Sequence, residues 1–83
     1  MNYYLIMCRS VTSAQRCVRL LERSLIRAVV TKAPQKLTAH GCGYAVRLHN
    51  KLEEAVSILR RNEMPIGKIY FVNADGDSRE VSV

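Results

Sequence analysis

The residues best suited to chemistry in this 83-residue chain are Gly41-Cys42-Gly43, a thiol between two glycines, just ahead of the alternating run Tyr44-Ala45-Val46-Arg47-Leu48. Glycine on both sides lets the backbone take positive φ and lets a partner approach closely, so the sulfur can stand clear of its own chain. That setting suits an exposed, reactive thiol, whose chemistry is nucleophilic attack by the thiolate. The plainer alternative is a turn into a strand that happens to contain a small apolar residue.

The other two cysteines, Cys8 and Cys17, complete an odd set at irregular spacings with no CxxC pair. This is neither a disulfide framework nor a metal-binding pattern, so no metal site is expected. Cys17 falls on the apolar side of a predicted helix, where a thiol acts as a small hydrophobe, and Cys8 ends the first predicted strand. Only Cys42 has a local setting that suggests reactivity.

Size and charge narrow the rest. With 48% hydrophobic residues, a chain of this length makes one domain with a modest core. No apolar run approaches the roughly 20 residues needed to cross a bilayer, and Met1-Asn2-Tyr3-Tyr4 lacks the basic region of a signal peptide, so the expectation is a soluble, cytoplasmic protein with no membrane partner. The net charge of +6 is uneven, since residues 1 to 74 carry 12 Lys and Arg against four acids. Such a surface favours nucleic acid, an acidic protein or a small anion, or simply keeps the protein in solution.

Several elements must position the thiol. Tyr3 to Cys8 is rich in strand formers and uncharged until Arg9, as in a buried central strand. Ser10 or Thr12 can cap a helix from Ser13 to about Leu25, with Ala14, Cys17, Val18, Leu21 and Leu25 as its apolar stripe. Arg27 to Ala33 reads as a second strand stopped by Pro34. Pro34 to Gly43 is a long connection, and loops of that length are usually either functional or mobile. Tyr44 to Leu48 is a third strand, with Ala45 and Arg47 on one face and Tyr44, Val46 and Leu48 on the other. Asn50 is a plausible cap for a helix running to about Asn62, with Leu52, Ala55, Val56 and Leu59 inward. Ile66 to Asn73 makes a fourth strand, Ala74 to Ser78 a turn, and Val81-Ser82-Val83 either a tail or a short added strand.

The order strand, helix, strand, strand, helix, strand, with right-handed crossovers, predicts an α+β fold of the ferredoxin-like kind. In it a four-stranded antiparallel sheet carries both helices on one face. Residues 1–74 form this single domain and 75–83 the tail or extra strand. Tyr70, Lys68, Arg47 and Tyr4 are expected on the uncovered face.

Pro34, Leu37, the Gly41-Cys42-Gly43 centre and Tyr44-Ala45-Val46-Arg47-Leu48 together resemble the signature of the Se/S carrier protein-like family, a small bacterial family of formerly unknown function with a CG motif. The similarity runs over about residues 2 to 72. The chain departs from the family pattern in having Thr38-Ala39-His40-Gly41 where serines often precede the cysteine. The resemblance implies a sulfur or selenium carrier more than a stand-alone enzyme. Cys42 would hold the chalcogen transiently as a persulfide or selenopersulfide, with no other cofactor, between donor and acceptor proteins.

An unperturbed thiol of pKa about 8.5 is only a few per cent ionised at neutral pH, so a carrier thiol needs positive charge or free N–H groups nearby. The Gly41 and Gly43 amides can supply the latter, and Lys36, His40 and Arg47 are the candidate cations. His40 is also a candidate proton or ion-pair partner. Two rival readings belong to other classes. One is a non-catalytic interaction or regulatory module, a homodimer through the open sheet being its simplest form. The other is a single-stranded RNA-binding domain, weakened by the single aromatic residue on the third strand.

Overall fold

In the computed structural model, which describes residues 2–37 and 43–83, the chain forms one antiparallel sheet and two helices. The strands are β1 (Tyr3–Cys8), β2 (Val29–Lys32), β3 (Tyr44–Leu48), β4 (Ile69–Val72) and β5 (Ser78–Val81), ordered β2-β3-β1-β4-β5. The helices are α1 (Val11–Arg23) and α2 (Leu52–Arg61), and a 3-10 turn covers Gln35–Leu37. The sheet thus has five strands where the sequence predicts four. Val72 pairs with Ser78 and Ile69 with Val81, so residues after 75 add a strand to the edge and do not fray as a tail.

The fifth strand exists because the turn before it is closed by side-chain chemistry. Asn73 Oδ1 accepts from the Asp75 and Asp77 amides at 2.9 and 3.0 Å, and Gly76 takes φ +86°, which only glycine adopts freely. The uncharged opening run lies at the centre as expected, with Ile6 opposite Val46 on one side and Ile69 on the other.

Alternation along β1 divides the interior in two. Ile6 and Cys8 join Val46, Leu48 and Ile69 against Ala14, Cys17 and Leu21 of α1 and Ala55, Val56 and Leu59 of α2. Both helices therefore cover the same face of the sheet. Leu5 turns the other way and packs with Ala33, Ala45 and Val72, flanked by Tyr3, Met7, Leu37 and Tyr70. The face expected to be open is partly roofed by the 3-10 turn. Tyr4 is not on it: directly opposite Leu48 and Phe71, it packs with the helical side, its ring 5.3 Å from that of Phe71. Tyr3 holds the place expected for Tyr4.

Helix ends differ from expectation at two points. Ser10 caps α1 as predicted, accepting from the Ser13 amide at 3.2 Å. Asn50 does not cap α2: Lys51 occupies that position in the left-handed region, with no side-chain cap bond. Leu25 lies beyond α1 and outside its apolar stripe. The Ile26 amide reaches back to the Leu21 carbonyl at 2.9 Å, a turn that requires Leu25 at φ 62° and leaves it 87% exposed while Ile26 is buried in its stead. A leucine in that conformation is strained by roughly 1–2 kcal/mol. Leu25→Gly is expected to stabilise the fold by about 1 kcal/mol, seen as a higher urea midpoint at unchanged slope.

Candidate functional site

β2 and β3 form a hairpin, and the Gly41-Cys42-Gly43 run is in its loop. Lys32 lies opposite Tyr44, and one step further the Ala33 amide donates to the Gly43 carbonyl at 3.0 Å, closing the loop at its base. Pro34 then starts the 3-10 turn, with the Leu37 amide bonded to its carbonyl at 2.9 Å. Leu37 packs beside Ala33 and Ala45 on the second face of the sheet. The chain on both sides of residues 38–42 is therefore anchored by the core.

The candidate site residues divide accordingly. Cys42, His40 and Gly41 lie outside the described residues. Gly43 is buried at the loop base, its carbonyl engaged by Ala33. Lys36 extends its ammonium to the Gly76 carbonyl, 2.9 Å away in the β4–β5 turn, and so ties the thiol-bearing loop to the added strand. Arg47 is exposed on β3, its guanidinium 5.7 Å from the centre of the Tyr3 ring. It lies four residues along the strand from Gly43, about 13 Å at strand rise. Gly43 belongs to the base of the loop, whereas the charges of Lys36 and Arg47, both expected near the thiol, lie toward the Tyr3 end of the sheet, because the bond to Gly76 draws the Lys36 ammonium there.

Register adds groups that the sequence alone does not bring together. Cys8, the last residue of β1, pairs with Tyr44, so the chain leaves β1 through Arg9 and Ser10 at the end of the sheet where Gly43 enters β3. The N-terminus of α1, Arg9 and Lys32 thus sit around the base of the thiol-bearing loop. A helix N-terminus and fixed cations favour an anion such as a thiolate. The signal for this grouping is tertiary, since residues 8 and 44 meet only through the β1–β3 pairing.

The other two thiols are in the core. Cys17 is fully buried, Cys8 nearly so, and the Cys8 Sγ also lies 3.6 Å from the Ile6 carbonyl. A hydrogen bond to Cys17, reinforced by burial, pushes the Cys8 thiol far above the ordinary thiol range. The same bond draws Cys17 downward, because its thiolate would accept the Cys8 S–H, while burial opposes that ionisation. Each thiol thus has a partner inside the protein. Among the described residues no three His, Cys, Asp or Glu side chains gather as a metal ion would require, and no helix is long and apolar enough to span a membrane.

The profile of a family described as "Putative Se/S carrier protein-like" matches residues 3–71, from the start of β1 to the middle of β4. No curated protein and no solved structure matches the chain.

The burial of two thiols makes a direct test. Brief treatment of the native protein with iodoacetamide, followed by peptide mapping, should leave Cys8 and Cys17 unmodified, and both should react in denaturant. Modification of either in the native state at the rate of a free thiol would contradict their packing.

Proposed function

Because the chain belongs to the Se/S carrier protein-like family, we propose that it carries one sulfur or selenium atom on Cys42 and delivers it to an acceptor protein. The observation that supports this reading is the burial of the other two thiols. Cys8 and Cys17 are buried in the core, and Cys42 is bonded to a glycine that opens a hairpin strand.

The transfer is an exchange at sulfur. The Cys42 thiolate attacks the terminal sulfur of a donor persulfide, R–S–SH, giving Cys42–S–SH and R–S⁻. One S–S bond forms as another breaks, with no net oxidation. A donor selenopersulfide gives Cys42–S–SeH in the same way. An acceptor nucleophile then removes the terminal atom and returns the Cys42 thiolate. Lys32, Arg9 and the start of α1 favour the anionic form, and His40, two residues from Cys42 in the sequence, is the group to exchange its proton. The first four strands in the order β4-β1-β3-β2, with both helices on one side, support reading the frame as ferredoxin-like with β5 added at the edge.

The RNA-binding alternative needs aromatic rings free to stack on bases. All four tyrosines are half-buried: Tyr4 and Tyr44 pack on the helical side, and Tyr3 and Tyr70 pack in the cluster that includes Leu37. No observation favours it over the carrier reading.

The test is intact-mass analysis after exposure to a cysteine persulfide or to a donor protein carrying a selenopersulfide, followed by peptide mapping. The expected product is one added sulfur or selenium atom on Cys42, retained by Cys8→Ala and Cys17→Ala and lost in Cys42→Ser. An adduct on Cys8 or Cys17, or none on any cysteine while a small-molecule thiol takes up the atom, would overturn the proposal.

A further inference from the structure

The outer side of the helical layer carries a second feature, away from the thiol-bearing loop. Arg16, Arg19 and Arg23 follow one another at steps of three and four along α1, so their side chains stand in one row about 10 Å long. Together with Leu20 of the same helix and Asn62 and Met64 beyond the end of α2, they line a groove of about 350 Å³. The floor is apolar: Leu20 and Met64 are half-buried and pack onto the main core. The rim is cationic and exposed.

Nothing within the described chain neutralises that rim. Among the described residues the ion pair present is Lys68–Glu80, at 3.8 Å on the other side of the sheet. Glu22, three residues after Arg19, makes no ion pair with it. Asn62 is committed elsewhere, its amide donating to the Ile58 carbonyl at 2.8 Å to finish α2. Three guanidiniums on one helix face repel one another, and a surface of this kind costs stability unless something outside the chain offsets the charge. The C-terminal dipole of α2 opposes an anion nearby, but Arg60 and Arg61 fill its last turn.

The lining identifies the type of partner. A single-stranded nucleic acid needs rings for its bases, and the groove has none. It combines planar donors that hold carboxylates in pairs with a leucine and an adaptable methionine below them. We propose that this groove docks an acidic amphipathic helical segment of a partner protein, its carboxylates on Arg16, Arg19 and Arg23 and one apolar side chain on Leu20 and Met64. As the seat of a transfer partner the groove rests on the carrier reading. As a binding surface it needs no thiol, so binding and chalcogen loading can fail independently.

The test uses a fluorescein-labelled synthetic helical peptide with glutamates at steps of three and four and one leucine between them, titrated with the full chain and read by anisotropy. Binding should weaken steeply with added salt, and replacing the peptide's leucine by serine should weaken it further. The variant R16E/R19E/R23E should lose at least about tenfold in affinity, whereas K51E/K68E/R79E, with the same change in net charge, should stay within about twofold. Cys42→Ser should bind as the wild type does. All six changed residues are exposed, and unchanged melting curves would confirm that both triple variants fold. Equal loss in both variants would reduce the effect to net charge and overturn the proposal. So would the absence of binding at low salt, or tighter binding of a single-stranded oligonucleotide that is lost in R16E/R19E/R23E alone.

Discussion

Two consecutive residues of the central strand, Leu5 and Ile6, are 1% and 0% exposed. Neighbours in a strand point to opposite faces, so β1 requires cover on both sides of the sheet. The amphipathic stripes of α1 and α2 meet that need on the side of Ile6. On the side of Leu5 no helix lies among the described residues, and the cover comes from Leu37 in the 3-10 turn, with Tyr3 and Tyr70 beside it. The loop that bears Cys42 is thereby recruited into the core at its start, through Leu37, and into the sheet at its end, through the Ala33–Gly43 bond. Lys36 adds a tether to the β4–β5 turn. The same requirement that buries Leu5 fixes the chain on either side of residues 38–42.

Most of the frame was legible because its elements have clean periods. The edges of β1 and β3 were read to the residue, as was the inward direction of Tyr44, Val46 and Leu48. The Ser10 cap was legible because a hydroxyl before an apolar-periodic run has few other uses. The misses have a common cause, in that they depend on contacts between residues distant in sequence or on backbone conformations that residue type disfavours. Val81 was left between tail and strand because only the Asn73 turn decides that it pairs with Ile69. Tyr4 was placed on the wrong face because either of two adjacent tyrosines can face inward, and only Phe71 distinguishes them. Leu25 and Lys51 adopt left-handed conformations that favour glycine, so neither advertises a helix boundary.

Of the candidate site, the sequence marks Cys42 by a local signal, a cysteine between glycines, and the structure adds that its two siblings are buried. The meeting of Cys8 and Cys17 in one core cluster is not legible, since it joins a strand end to a helix across the core. Lys36 is close to Cys42 in the sequence, but its bond to Gly76, 40 residues on, draws its charge to the opposite end of the sheet. Arg9 and Lys32 passed unnoticed for the same reason, because register alone carries them to the end of the sheet from which the loop leaves.

On the carrier reading, attraction and reaction must be separable. A partner held by the reacting sulfur itself would be released only as fast as the covalent bond exchanges. The charge distribution offers another arrangement: Arg16 to Arg23 occupy the middle and C-terminal half of α1, whereas the thiol-bearing loop leaves the sheet beside that helix's N-terminus, up to about 18 Å away along its axis. Salt-sensitive pairing on the helix accelerates encounter far more than it prolongs contact. A loop anchored at both ends can then engage or miss the acceptor's reactive group without the encounter being lost. The strength of the arginine contacts and the reactivity of the thiol are in that case set by different residues, and each can change without the other.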